Sequence, residues 1–492
     1  MVKTNNTKNG LNQLDNLLKN DQANEQYLKR LAWILIIGLI AYSIKLLNKL
    51  PEDVTPIKAY LALGIIWLGT LPAMQYLFDK ERPPIPFFPL VGLYYASGFG
   101  LPIFSSIGEK KDIEFSISEV TNKALLLVLL GLLGMNISFY IVKYFLHNKI
   151  LPFKFIKNNT NDRLIYLLTI FLIAHILCVY VPFVQNIPSV GQLLEPVGFI
   201  SYGIFYILWS RNEIKSNPLK IFIIVSFILE MLKRFTSGLL AEVMVLCLFL
   251  FIIIWYERKR IPIIFITITI VLFYIFSSVK AEYRVMTWND GELSNANPLQ
   301  KAQIFIDLAI QKFTLSEGKE DNLDNTSESI VNRTATIALF SRVVEDTPKL
   351  VPFYSGETYL PIFTSFIPRA LWADKPEART GNLWGHRYGY LEIDDYETSL
   401  NLPIIVEMYA NFGETGVLSG MLLLGALLAL IDLKFNSTRM NSLNVVVGAT
   451  FLQELIFQES NASLVLGGLI PLIVALYLIF EYFLNRSISK IK

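Results

Sequence analysis

Charge is scarce in this chain of 492 residues: Asp, Glu, Lys and Arg make up 17%, where a soluble globular protein carries about a quarter. Apolar residues make up 53% and come in long blocks that one buried core could not hold. Together these exclude a water-soluble single-core enzyme and a collagen-like or disordered chain. Net charge is nearly absent as well. The 43 basic and 41 acidic residues leave +2, which implies no bulk polyelectrolyte partner and excludes a nucleic-acid binder. Cys178 and Cys247 are the two cysteines. Both lie in apolar runs and read as small hydrophobes in helices, without a disulfide framework or a metal signature. The chain has no HExxH, no CxxC and no dense Asp/Glu/His group at ligand spacing, so no metal and no cofactor is expected. A Gly-rich phosphate loop is missing, which argues against ATP-driven chemistry. No internal repeat is evident, which counts against an inverted-repeat transporter.

What is present is a series of segments near the roughly 20 apolar residues that a bilayer-crossing helix needs. They fall near 31–48, 58–78, 86–105, 123–146, 163–183, 192–210, 219–236, 238–256, 261–279, 413–433, 443–459 and 464–484. The spacing predicts an all-α polytopic membrane protein with about twelve spans. Residues 1–30 are polar and no small-residue cleavage site follows the first apolar run, so no cleavable signal peptide is expected. Leu11, Leu14, Leu17 and Leu18 share one helical face; that segment reads either as a surface-lying helix or as a frayed tail. Lys and Arg gather in alternate loops. They occur in the N-terminal tail (Lys3, Lys8, Lys19, Lys29, Arg30), then at Lys80 and Arg82, and around Lys149–Arg163. The same sign recurs at Arg211–Lys220, at Arg258–Arg260, at Lys434 and Arg439, and after Arg486. Both termini are therefore expected in the cytoplasm. The organisation reads as a cytoplasmic tail (1–30), nine spans (31–279), a large outer loop (280–412), three spans (413–484) and a second cytoplasmic tail (485–492).

A loop that long should have a fold of its own. Residues 298–313 (PLQKAQIFIDLAIQKF) show an amphipathic helical pattern, with Leu299, Ala302, Ile306, Ala309, Ile310 and Phe313 on one side. Residues 328–345 read as a second helix, and the acidic stretch 314–327 as a mobile tip.

Charges at the outer ends of spans are costly and are functional candidates. Lys233 and Arg234 lie between two apolar runs, with Glu230 placed to pair with Arg234 at i, i+4. Lys280, Glu282 and Arg284 end the ninth span. For both groups the plainer reading is snorkelling of long side chains to water. Within the acidic loop, the stretch IPRALWADKPEARTGNLWGHRYG is basic and aromatic. It carries Arg369, Lys375, Arg379 and Arg387 with Trp372, Trp384, His386 and Tyr388. Forked Arg donors suit phosphate oxygens, and aromatics suit sugar faces or the membrane interface. The mixture fits an anionic amphiphile such as a lipid-linked sugar pyrophosphate, or else an ordinary interfacial belt. His386 is the one histidine on the outer side; His147 falls in a cytoplasmic loop and His175 within a span. Glu407, in LPIIVEMYANFGETG, is flanked by apolar residues and could serve as a base or pair structurally with an Arg.

Two runs, TPKLVPFYSGETYLPIFTSFIPRALWADKP (347–376) and PIIVEMYANFGETG (403–416), resemble bacterial oligosaccharide repeat-unit polymerases, the Wzy-type O-antigen and exopolysaccharide polymerases. The early KERPPIPFFPLVGLYYASGFGLPIF (80–104) is similar too. The resemblance covers about a quarter of the chain by motif and the rest by topology alone.

It implies a GT-C-like, metal-independent membrane glycosyltransferase in the bacterial inner membrane. Its donor and acceptor would be glycans on undecaprenyl pyrophosphate, with a chain-length regulator as a further partner. Arg369 and Lys375 match the Pro-Arg…Lys-Pro motif, and Glu407 the Glu-Tyr segment. Arg333 and Arg342 lie on the preceding helix; Arg234 and Arg284 are carried by topology only, and no motif fixes His386. On this reading Lys233, Arg234, Arg284, Arg333, Arg342, Arg369, Lys375 and Arg387 hold the pyrophosphate. Glu407 or His386 takes the acceptor proton, and Trp372, Trp384 and Tyr388 face sugar or interface. The competing expectations are an O-antigen ligase using the same donor and, outside enzymes, a lipid-linked glycan flippase or exporter.

Overall fold

A computed structural model describes residues 3–104, 120–157, 161–185, 190–287, 293, 296–315, 336–365, 367, 372, 380–396, 398, 400, 402–456 and 458–485. Among them there is no strand. Helix runs through every segment expected to span. The first, α1 (Lys3–Asn48), is one rod of about 70 Å at 1.5 Å per residue. It is followed by α2 (Pro56–Phe78) and α3 (Phe87–Tyr95), the latter continued by a π turn at Ala96–Gly100 and a 3-10 turn at Leu101–Phe104. Next come α4 (Asn122–Leu146), α5 (Asn161–Tyr180), the short α6 (Pro182–Gln185) and α7 (Val190–Ser210). Then α8 (Asn217–Thr236), α9 (Leu240–Arg258) and α10 (Ile263–Thr287) complete the first part.

The long loop holds α11 (Pro298–Leu315), α12 (Thr336–Asp346), α13 (Leu360–Ser365) and α14 (Thr380–Arg387). The helix expected at 298–313 is α11. Of the helix expected over 328–345, the part from Thr336 onward is α12; its earlier residues, and the tip from 316 on, lie outside the described residues. The chain ends in α15 (Ile404–Phe435), α16 (Ser442–Ile456), α17 (Ala462–Gly467) and α18 (Leu469–Phe480).

Seven of these segments are long and apolar enough to cross a membrane: Ala23–Asn48 of α1, α2, Phe87–Phe104, α4, Asp162–Tyr180 of α5, α15 and Ala462–Asn485. Parts of α10 and the whole of α16 are apolar but shorter. Ile34, Ile37, Ile137, Ile141 and Leu423 point out of the bundle, an apolar exterior that water would not tolerate over such an area. The protein is an all-helical membrane protein.

Local chemistry explains the helix starts. Thr55, Thr121 and Ser216 each accept a hydrogen bond from the backbone N–H three residues on, capping α2, α4 and α8. The α8–α9 connection is only a few residues long because Gly238 takes a φ of +70°, open to glycine at no steric cost. Where α2 crosses α3, a Cβ on Gly92 would lie 2.2 Å from the Gly69 carbonyl oxygen. The two backbones touch, as small residues allow between membrane helices.

The largest core joins α2, α3, α4, α5, α7, α9, α15, α16 and α18, and α4 against α15 is its most extensive contact. An ion pair ties the two helices at each end: Lys123 at the start of α4 meets Glu414 at 2.7 Å, and Lys143 near its end meets Asp432 at 2.8 Å. The order of these contacts along both helices shows that α4 and α15 run in the same direction. The bundle therefore has a loop end, carrying the residues between α10 and α15, and an opposite end. At the opposite end Asn444 of α16 accepts from the N–H groups of Phe155 and Ile156 and donates to the Ile156 carbonyl. Asn436 does the same for both backbone groups of Ile85. At the loop end, Thr121 N–H donates to Ser341 Oγ, which fixes α12 over the start of α4.

The outer loop is expected from sequence to run to residue 412. Instead α15 starts at Ile404 and breaks at Gly413, whose φ of +64° no ordinary side chain adopts readily. Residues 404–411 are all buried, so the conspicuous PIIVEMYAN segment is bundle interior rather than loop.

Candidate functional site

Two polar groupings sit at the loop end. The first joins α5, α7, α8 and α9. Arg234, 5% exposed, donates from Nε to Glu230 Oε1 at 2.6 Å and from a terminal nitrogen to Glu195 Oε1 at 2.9 Å. Its other terminal nitrogen donates to the Glu242 carbonyl at 3.2 Å, and its guanidinium lies 5.0 Å from the Phe199 ring centre. Glu230 also meets His175 Nε2 at 2.7 Å, and the other ring nitrogen of His175 faces the Leu194 carbonyl at 3.1 Å. The i, i+4 pair expected from sequence is present, within a larger network. Lys233 is exposed on the far side of the same turn. Arg284 of α10 donates to the Gly238 carbonyl, and Tyr283 Oη to the Thr236 carbonyl, so both brace the α8–α9 turn.

The second grouping surrounds Glu407 in the first turn of α15. It is fully buried. Oε2 accepts from the Ala462 N–H, where α17 begins, at 2.6 Å. Oε1 has no hydrogen-bond partner among the described residues. Asn411, one turn on, donates to the Glu407 carbonyl at 2.8 Å and to Thr358 Oγ1 at 2.7 Å, and accepts from Gly356 N–H at 2.8 Å. Tyr354 N–H donates to the Ala410 carbonyl at 3.0 Å. That bond and the neighbouring one from Ser355 N–H to the Asn411 carbonyl hold the loop 354–359 over the buried turn. Ser355 and Gly356 both take positive φ to make this fit.

Arg387 of α14 closes the grouping from above. Its guanidinium lies 3.9 Å from the Tyr354 ring centre, and it donates to the Pro352 carbonyl at 2.8 Å. Burial raises the Tyr354 phenol above its usual pKa and Arg387 pulls it back. Tyr359 is raised by burial and, next, by the charge of nearby Glu407. Trp384 is wholly buried and packs on Tyr388, whose phenol burial pushes up to about 12.

The structure brings Glu407 and Arg387 to the same loop and leaves the other expected residues apart. His386 Nε2 faces the Asp395 carbonyl at 2.9 Å, away from any carboxylate of this grouping. Arg342 pairs with Asp346 on its own helix at 3.2 Å. Trp384 of α14 and Tyr388 directly after it are buried packing residues, and Trp372 is partly exposed. Lys233, Arg234 and Arg284 belong to the first grouping. Arg333, Arg369 and Lys375 lie outside the described residues. Sequence reasoning missed Asn411, Thr358, Tyr354, His175 and Glu195. Asn411 could have been found, since it falls one turn after Glu407; the loop contacts of Thr358 and Tyr354 leave no such trace.

Chemically, Glu407 presents one anchored oxygen and one without a hydrogen-bond partner among the described residues, an arrangement able to take a proton from a hydroxyl brought to it. Among the described residues no three His, Cys, Asp or Glu side chains are grouped to hold a metal ion. The model of a family described as a domain of unknown function (DUF8712) matches residues 93–480, from within α3 to the end of α18. Neither curated proteins nor solved structures give a match.

Proposed function

We propose that this chain, which belongs to the DUF8712 family, is a membrane glycosyltransferase that polymerises lipid-linked oligosaccharide repeat units. The donor is a growing glycan on undecaprenyl pyrophosphate and the acceptor a single repeat unit on the same carrier. On this reading the fold is GT-C-like with about twelve spans, in the bacterial inner membrane, with both termini cytoplasmic and the loop end outside. The observation that carries the reading is Glu407: a buried carboxylate with an open oxygen, under a loop that also positions an arginine and aromatic rings.

An acceptor hydroxyl oxygen bonds to the anomeric carbon of the donor while the bond from that carbon to the pyrophosphate oxygen breaks. The hydroxyl proton passes to Glu407 Oε1. Undecaprenyl pyrophosphate leaves with the electron pair, and its developing charge needs fixed cations. Arg387, held against Tyr354 in the loop over Glu407, is the described cation assigned to this task; Arg369, Lys375 and Arg333 enter on the resemblance. The Arg234 guanidinium is already held by two carboxylates and a carbonyl, which favours a bracing role for it over a pyrophosphate contact.

The test separates lipid-linked glycans by size in a deletion strain complemented with wild type or with Glu407→Gln. Wild type should restore polymer, and the variant should accumulate single repeat units at equal protein level. Polymer of normal length from the variant removes Glu407 from the chemistry. Full-length polymer retained on the carrier in the deletion strain turns the reading into a ligase, and repeat units trapped on the cytoplasmic face turn it into a flippase.

A further inference from the structure

A cleft of about 480 Å³ opens between α1, α2 and α3 on one side and α9 and α16 on the other, within the roughly 300–1,000 Å³ of small-molecule sites. Its walls are mostly hydrocarbon: Leu39 of α1, Ile66 of α2, Leu93 of α3, Leu248 of α9 and Ile456 of α16. Three of the wall elements, α1, α2 and Phe87–Phe104, are among the seven segments apolar enough to cross a membrane. An apolar cleft at that depth is poorly filled by water, which needs two or more polar partners to stay. A hydrocarbon chain entering sideways from the bilayer fills it without that cost.

One end of the cleft is different. Glu459, on the segment between α16 and α17, lines it there. Tyr94, 9% exposed, lines the same cleft, with Glu459 and Thr336 close to its phenol. The carboxylate repels an anionic head group, and both it and the hydroxyl oxygen accept hydrogen bonds. They complement a donor-bearing cation: an ammonium group gives a charge-assisted hydrogen bond to the carboxylate.

We propose that this cleft binds one zwitterionic aminolipid of the bilayer, with a hydrocarbon chain between α1 and α9 and its ammonium group at Glu459. The site is separate from the glycan chemistry, yet it is tied to it by the backbone. Gln458, next to Glu459, accepts from Tyr95 Oη at 2.6 Å and, through its carbonyl, from Ile404 N–H at 3.2 Å. Three residues after Glu459, Ala462 anchors Glu407. An occupied cleft therefore steadies both the α1–α2 pair and the segment that holds Glu407.

The experiment reconstitutes the full chain in bilayers of phosphatidylcholine that contain either phosphatidylethanolamine or phosphatidylglycerol carrying a photoreactive acyl chain. Crosslinks are mapped by mass spectrometry. The expected result is labelling at Leu93 and Leu248 by the ethanolamine probe, competed by unlabelled phosphatidylethanolamine. Glu459→Gln should weaken that labelling roughly tenfold or more, the scale of one charge-assisted contact. Leu248→Trp, which fills the cleft, should abolish it. Equal labelling by the two probes, or cleft labelling no stronger than at Trp33 and Ile37 on the open face of α1, means bulk lipid only and overturns the proposal. Unchanged labelling in Glu459→Gln also overturns it. Glu407→Gln should keep the labelling, so a failure of the glycosyltransferase reading leaves this result independent.

Discussion

Two buried carboxylates at the loop end have opposite surroundings. Glu230 meets His175 and Arg234, and Arg234 in turn meets Glu195, so each charge in that grouping faces an opposite or polar partner. Glu407 is as deeply buried, but Oε2 rests on a single backbone N–H and Oε1 has no hydrogen-bond partner among the described residues. The same residue type, at the same end of one bundle, is closed off in one place and left open in the other. A saturated network locks α5, α7, α8 and α9 together; an open carboxylate oxygen is costly to keep in an interior, and a reaction step is what it can be kept for.

The largest expected effect tests the open side. Glu407→Gln keeps the shape and an oxygen for the Ala462 N–H but loses a base. Transfer should fall about 10²–10⁴-fold, the usual scale for a positioned general base, with the thermal unfolding of the detergent-solubilised protein unchanged. A variant that unfolds early while the surviving protein remains active would place Glu407 with Glu230 as a structural group and dissolve the contrast.

Arg234→Met tests the closed side. It leaves Glu230 buried without its cation, and breaking such a pair by removing one partner costs about 3–5 kcal/mol. The variant should unfold at markedly lower denaturant, and the fraction that stays folded should transfer glycan normally. Full stability with lost activity would instead put Arg234 on the substrate, where topology alone had suggested it.

How far each region could be read from sequence follows from its physics. Periodicity and length carry the helices, so α11 and the apolar segments are legible as helix, and so is the Glu230–Arg234 pair, because i, i+4 neighbours on one helix must meet. Glu195 and His175 join that pair from other helices, and no spacing on α8 announces them. Glu407 stands out because it is a carboxylate in an apolar run. Its depth does not, because the run before Gly413 reads equally as loop or as helix. Only the break at Gly413 and the loop 354–359 above it settle that residues 404–411 are interior.

Asn411 sharpens the comparison at intermediate cost. It donates to Thr358 and accepts from Gly356, joining the loop to the turn that bears Glu407. Asn411→Leu keeps the volume and removes both contacts, leaving the Gly356 N–H unpaired, which should cost about 1–3 kcal/mol. If Glu407 depends on that loop for its setting, transfer should fall together with loop protection in hydrogen exchange at residues 354–359. Loss of protection with full activity would show that Glu407 does not need the loop above it.

The smallest effect belongs to a pair that looks on distance alone as strong as any other. Lys123 and Glu414 meet at 2.7 Å, against 2.8 Å for Lys143 and Asp432 on the same two helices. Their exposures differ: 50% and 58% for the first pair, 25% and 3% for the second. An exposed pair gains little over hydration and is screened by salt, so Lys123→Met should cost about 0.2–1 kcal/mol, less still at high ionic strength. Lys143→Met should cost more, because Asp432 stays buried without its cation, beside the Asn436 side chain that donates to it. Denaturant midpoints of the two variants, measured at low and high salt, decide it. A larger loss at Lys123 than at Lys143 would mean that burial does not rank the charges of this bundle, and the contrast between Glu230 and Glu407 would then have to rest on something other than their surroundings.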